Sequence, residues 1–283
     1  MKSFTKAVAL MLMTMVVLAS CHKENNGNDN LGVTGPTAEG ISPEGGIDAI
    51  FSVSDSKRVF FSKGNLQYTP KTRIWRFAES QLDYIGSANS NISSYYKGWI
   101  DLFGWGTGNK PANSLPVTFY YSTFTDWGIN PISNGGNQAN QWRTLTYDEW
   151  KYLMFSRTTN SGILYAKAMV NGVNGVLILP DDWSTSYYSL NSTNIHTAPF
   201  SSNTITSYDW TNSLEAHGAV FLPAAGFRND TSVDDVGTYG YYWSSTPNEN
   251  GYSAYFLYFF DGSLSVSSYL RYYGRPVRLV ADE

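Results

Sequence analysis

Residues 254–274 read AYFLYFFDGSLSVSSYLRYYG, and the pair Asp261-Gly262 at the centre decides how the carboxyl-terminal third folds. An Asp-Gly pair flanked by apolar alternation predicts a hairpin whose two turn residues both take positive φ. In that register Phe260 faces Ser263, Phe259 faces Leu264, Tyr258 faces Ser265, Leu257 faces Val266 and Phe256 faces Ser267. Successive strand side chains point to opposite sides, so these pairs sort by face. Leu257, Phe259, Leu264 and Val266 make one apolar face, fit for a core. Phe256, Tyr258, Phe260, Ser263, Ser265 and Ser267 make the other, where a solvent-facing strand ordinarily carries Thr, Lys, Glu or Arg.

The second face has the composition of a contact surface. Between Asn248 and Tyr273 stand six Tyr, three Phe and five Ser in 26 residues. Antibody loops favour Tyr, Ser, Gly and Asn, because tyrosine gives large amphipathic area at low entropic cost while serine and asparagine adapt their hydrogen bonds. Strand propensity also favours Tyr and Phe. That accounts for the aromatics but not for their lying opposite an already complete apolar face.

The chain opens MKSFTKAVALMLMTMVVLASC: two lysines, an apolar run from Ala7 to Leu18, then small residues before Cys21. This is the pattern of a secretory signal over residues 1–20 and not of a membrane span. The ending LASC resembles a bacterial lipobox, which implies cleavage before Cys21 and lipidation of its thiol. Cys21 is the sole cysteine, so the folded part is expected to hold no disulfide, thiolate metal site or cysteine nucleophile. Loss of residues 1–20 removes two of the 19 basic residues and none of the 23 acidic ones, leaving a charge near −6. An acidic balance argues against nucleic acid as partner. Residues 21–47 are rich in Gly, Asn and Pro and poor in large apolar groups, and are expected to form a tether. The HKE after Cys21 resembles the export signal of Bacteroidetes surface lipoproteins, implying outer-membrane attachment with display at the cell surface.

Residues 48–283 carry neither a second linker nor a fixed-period repeat and are expected to form one domain. Thr146 and Glu149 form a capping box ahead of a helix whose apolar stripe is Trp150, Leu153 and Met154. A second helix is expected through YDWTNSLEAHG, with Trp210, Leu214 and His217 at helical spacing and Gly218 as its stop. Strands are expected at 51–53, 58–61, 74–77, 176–179, 219–223, 240–244 and 276–280. The class is α+β, with much ordered loop.

Sequence motifs for catalysis are scarce. The chain has no HExxH, Walker, GxSxG or EF-hand pattern. Its three histidines, His22, His196 and His217, stand apart from any nucleophile or ligand motif. Adjacent Asp181 and Asp182 suit backbone capping better than acid–base work, and GWGTGN at 104–109 lacks the basic residue and helix that phosphate binding needs. Neither a cofactor nor a metal is expected, and no catalytic residue is assigned.

Eight motifs line up in order: VFFSKGNLQY (59–68), WRFAESQ (75–81), GWIDLFGWGTG (98–108), WRTLTYDEW (142–150), LILPDDW (177–183), GAVFLPAAGFR (218–228), YYWSST (241–246) and RPVRLV (275–280). Together they resemble the C-type-lectin-like domains of Bacteroidetes surface lipoproteins, related in fold to formylglycine-generating enzymes. The resemblance implies paired terminal strands, two helices packed on short twisted antiparallel sheets, and long ordered loops that carry a binding site. The block YWSST, the Tyr/Ser/Asn-rich stretch and the closing RxVRLV further resemble the variable region, here 241–280, of diversity-generating retroelement targets such as phage tropism determinants. In those systems adenines are replaced at random, and an AAY asparagine codon reaches Tyr, Ser, Asp, Phe, Gly or Leu but not Lys, Gln, Met, Trp or Glu. Residues 248–273 contain no Lys, Gln, Met or Trp and one Glu, Glu249, which would be fixed.

By that resemblance the variable, ligand-binding positions are Asn248, Asn250, Tyr252, Ser253, Phe256, Tyr258, Phe260, Ser263, Ser265, Ser267, Ser268, Tyr269, Tyr272 and Tyr273. The fixed scaffold is Trp243, Ala254, Leu257, Phe259, Gly262, Leu264, Val266, Arg271, Gly274 and Arg278. The implied function is a surface-anchored binding protein, not an enzyme, whose partner is a protein or glycan on another cell or a phage. Three alternatives stand beside it. A formylglycine-generating enzyme needs active-site cysteines that the mature domain lacks. A calcium-dependent lectin needs EPN or QPD followed by WND, where this chain has TPNEN and WSST. A non-diversified adhesin or a pilus or envelope subunit stays open.

Overall fold

The computed structural model describes residues 40–111 and 123–283. The expected signal segment, the lipidation site Cys21 and most of the expected tether lie outside the described residues. The tether ends sooner than residue 47, because Lys63 N–H bonds the Gly45 carbonyl at 2.9 Å and Ile47 N–H bonds that of Phe61 at 2.8 Å.

The capping box forms as the sequence predicts. Thr146 Oγ1 accepts from Glu149 N–H at 3.2 Å, Glu149 Oε2 accepts from Thr146 N–H at 2.8 Å, and the helix runs Tyr147–Phe155. Such a cap contributes about 1 kcal/mol, and Trp150, Leu153 and Met154 are completely buried on the stripe behind it. The second helical segment is less regular. It begins as one α-turn, Ser207–Asp209, widens to a π-turn at Trp210–Leu214 and tightens to 3₁₀ at Glu215–His217. Gly218 stops it with φ 79°. The change of pitch leaves Trp210 and Leu214 inside but turns His217 outward, where its ring stacks on Tyr187 at 3.8 Å.

Among the described residues, five antiparallel or mixed sheets make the fold α+β. In the first, Arg58–Phe61 pairs with Leu279–Asp282, so opposite ends of the described domain close against each other. The strand expected at 276–280 thus lies slightly farther along, at Leu279–Asp282. A second sheet is built on Tyr165–Val170 and Val173–Ile178 and carries Val220–Pro223 on one side. The third holds Gly240–Pro247, Ser253–Phe260 and Ser263–Leu270 in that order. Two-stranded ribbons, Leu66–Thr69 with Ile74–Phe77 and Phe227–Asn229 with Ser232–Asp234, complete the set.

The register of the last hairpin is the predicted one, from Phe260 opposite Ser263 through Phe256 opposite Ser267. Its turn is not. Neither Asp261 nor Gly262 has positive φ, so the turn chemistry inferred from the dipeptide does not apply. Tertiary bonds set the turn instead. The wholly buried Lys167 donates from Nζ to the carbonyls of Phe260 at 2.6 Å and Asp261 at 3.2 Å, and Asp261 Oδ1 accepts from Phe200 N–H at 2.6 Å. Glycine at 262 serves close approach, since a Cβ there would lie 3.0 Å from the Phe260 ring. Burial draws the Lys167 ammonium down to about 8, the Asp261 charge opposing that shift. Asp261→Ala removes a charge-assisted acceptor and should cost about 1–3 kcal/mol, with local loss of amide-exchange protection at the hairpin tip. Unchanged protection there would mean that the tip is held by the strands alone.

Candidate functional site

The apolar face of the hairpin is what the alternation predicts. Leu257, Phe259 and Leu264 are buried in one cluster with Trp150, Leu153, Met154 and Tyr242, and the partly buried Val266 packs on its edge. The other face divides into a covered base and an open tip. At the base, Arg271–Val277 crosses the sheet: Trp243 N–H bonds the Pro276 carbonyl at 3.2 Å, and Arg275 bridges to Phe103. Trp243 is therefore fully buried although its parity is outward, and its indole donates to the Phe103 carbonyl at 2.7 Å.

This crossing covers two expected contact positions, Phe256 and Tyr272, and the register turns two others, Ser253 and Ser268, although Ser268 stays partly exposed at the edge of the aromatic surface. Phe256 lies on the outer face, but Arg275 covers it and leaves it 4% exposed. Tyr272 is 8% exposed and stacks on Tyr273 at 4.6 Å. Ser253 and Ser268 belong by register to the opposite face from Phe256 and Ser267. Ser253 is buried, and its hydroxyl accepts from Asn250 Nδ2 at 3.1 Å; Ser268 accepts from Asn248 Nδ2 at 3.1 Å. Asn248 and Asn250 also accept backbone N–H groups within their own loop, at 3.0 Å and 2.8 Å, and so shape it as well as facing solvent. Such local bonds are what short amide side chains do best in turns.

The remaining positions come together. Tyr258, Phe260, Ser263, Ser265, Ser267 and Tyr269 share the outer face, with Tyr269 half exposed; Tyr252 stands exposed on the adjoining loop and Tyr273 on the crossing segment. Residues outside the predicted set extend the surface. Tyr239 stacks on Phe260 at 4.9 Å, Tyr241 lies 5.4 Å from Tyr258, and Phe227 meets both Tyr241 and Tyr273 edge-on at 5.5 Å and 5.2 Å. The alternation Tyr239, Tyr241, Trp243 carried this signal in the sequence. Ring pairs of this kind add about 0.5–1.5 kcal/mol each beyond area burial, enough to hold the rings preformed.

Between these rings opens a cleft of ≈ 470 Å³, lined among others by Tyr241, Tyr258, Tyr269, Tyr273, Asp235 and Arg275. Tyr241 donates its hydroxyl to Asp235 at 2.7 Å; burial, and then this bond, raise its pKa well above the tyrosine norm. Arg275 stacks its guanidinium over Phe256 at 3.5 Å and Trp243 at 4.6 Å, with Tyr241 at 5.1 Å. Burial pulls it down to about 9, opposed by Tyr241, Tyr273 and Tyr269, so it stays cationic at neutral pH. Cation–π contacts return about 2 kcal/mol when desolvated, less than the several kcal/mol that burying a charge costs.

Of the expected scaffold, Trp243, Ala254, Leu257, Phe259, Leu264, Arg271, Gly274 and Arg278 are buried, Val266 is partly buried, and Gly262 is exposed at the turn. Arg271, 3% exposed, donates from Nε to the Ser253 carbonyl at 2.9 Å and lies over Trp105 at 4.5 Å; Arg278 is 1% exposed. Ala254 is buried, and Gly274 bonds Arg228 in both directions at 2.8 Å.

A family model described as a domain of unknown function (DUF8237) matches residues 178–280, a span that takes in the whole three-stranded hairpin sheet and the crossing segment. Neither a curated protein nor a solved structure matches the chain.

Proposed function

We propose that this chain is a lipid-anchored surface protein of C-type-lectin-like architecture whose hairpin tip binds a macromolecular ligand and is diversified by a retroelement. The observation that carries the reading is the second, half-exposed aromatic face on a sheet whose first face already closes the core. An aromatic surface of that kind, rimmed by serine hydroxyls, is the usual chemistry of a contact hot spot. The pairing of the domain's terminal strands and the loop-rich sheets agree with the proposed architecture. On this reading the positions open to change narrow to Tyr252, Tyr258, Phe260, Ser263, Ser265, Ser267, Tyr269 and Tyr273, which are all partly or fully exposed.

Two experiments test it. Alanine at Tyr258, Phe260 and Tyr269 together should weaken binding to a surface extract captured by the native chain at least a hundredfold, on the order of 1–2 kcal/mol per anchor. Binding retained by the triple variant would move the contact site elsewhere. Sequencing the DNA beside the coding region should find a near-copy of codons 248–273 that differs chiefly at adenines; its absence, with no reverse transcriptase gene nearby, leaves a fixed adhesin.

A further inference from the structure

The feature that the binding reading does not use is Arg275. Its backbone is held on both sides, N–H to Phe103 carbonyl and carbonyl to Phe103 N–H, each at 2.9 Å. Its side chain is 3% exposed and clamped among aromatic faces, yet Nε and Nη1 have no hydrogen-bond partner. Among the described residues no carboxylate comes within ion-pair distance of it. The other charged group lining the cleft, Asp235, is already engaged by the Tyr241 hydroxyl. A buried, fixed and unpaired guanidinium is an uncommon expense in a folded protein, because both the charge and its N–H donors want a partner.

We infer that the Arg275 guanidinium, at the floor of the tyrosine-walled cleft, receives the carboxylate of an acidic side chain from a protein ligand. The inference rests on the binding reading and names the chemistry of its central contact. A planar guanidinium presents parallel N–H groups that match a carboxylate two for two. One cation with an acid in the cleft wall suits a single negative charge better than a phosphate dianion, which gathers several cations. Tyrosine walls with serine hydroxyls suit a protein segment, so the carboxylate is assigned to aspartate or glutamate. Full access needs the Tyr269 and Tyr273 rings, 5.3 Å apart, to part, and Tyr269, the outer of the two, is half exposed. Arg275 opens the motif RPVRLV and is not among the positions assigned as variable, so on the binding reading this contact would persist while the rim around it changes.

The test uses the full chain in detergent, labelled with ¹⁵N-arginine, and follows the Nε–Hε resonance of Arg275. Titration with N-acetylglutamic acid α-amide should move that resonance saturably, while the neutral N-acetylglutamine α-amide should not. Arg275→Lys, which keeps the charge and loses the fork, should bind the acid at least tenfold more weakly. Equal shifts from acid and amide, or none from either, overturn the inference without any need for the variant to fold. An equal response to chloride or inorganic phosphate overturns the carboxylate assignment, and a stronger response to glucuronate overturns the protein source. Loss of ligand by the triple alanine variant alongside a silent Arg275 would sink this inference alone and leave the binding face in place.

Discussion

Arg278→Ala should lower the free energy of unfolding by about 3–5 kcal/mol, read as a fall in the urea midpoint at unchanged slope. Arg278 is 1% exposed and donates from Nη1 to the Ser62 carbonyl at 3.0 Å and from Nη2 to the Phe221 carbonyl at 2.6 Å. Ser62 follows the strand Arg58–Phe61 of the terminal sheet, and Phe221 lies within Val220–Pro223 of the neighbouring sheet. One side chain therefore joins two sheets that share no strand. Alanine leaves two buried carbonyls without donors and a cavity the size of a long side chain. Burial draws the guanidinium down to about 10, and Tyr242 and Glu215 oppose the shift. Arg278→Met separates these terms. It fills the volume and removes the buried charge while still orphaning both carbonyls, so it should cost less, about 1–3 kcal/mol. Alanine within 1 kcal/mol of the native chain would show that the two sheets are held by apolar packing alone.

What was legible in the sequence follows from how local each signal is. The capping box and the hairpin register depend on residues three apart or directly opposed, and both appear as predicted. The turn at Asp261-Gly262 depends on Lys167 and Phe200, some 60 to 95 residues away, and the dipeptide alone misjudged it. The local signal for such a turn lies elsewhere in the chain. Asn171 and Gly172, with φ 48° and 80°, make a positive-φ turn of the kind expected at 261–262, and they join the strand Tyr165–Val170 that the strand pattern did not include. Face alternation could place Phe256 beside Tyr258 but could not show that Arg271–Val277 returns over it. For the same reason the motif RPVRLV does not reveal that Arg275 lines the cleft. Periodicity gives the side of a strand; what lies on that side is a matter of long-range topology.

That distinction can be measured at two adjacent residues. Phe259→Ala should cost about 3–5 kcal/mol, whereas Tyr258→Ala should cost about 1 kcal/mol or less. Phe259 is completely buried, stacks on Tyr242 at 6.1 Å with 12° between the rings, and meets Phe200 edge-on at 6.4 Å. Gly240 opposite it has no room for a side chain, because a Cβ there would overlap the Phe259 ring, so that position has nothing to fill the void. Tyr258 also touches rings, Tyr241 at 5.4 Å and Phe260 at 5.5 Å, but it is partly solvated and its loss leaves a dent that water can fill. Thermal unfolding of the two variants side by side gives the difference directly. The gap, about 2–4 kcal/mol, is a large share of the 5–15 kcal/mol that holds a typical domain together. A surface can be rewritten by random codon change only where each change costs little of that margin, so an equal cost at 258 and 259 would remove the physical basis for a changeable face. A cost confined to Phe259 would mean that the strand tolerates new contact residues on one side while the other side keeps the fold that presents them.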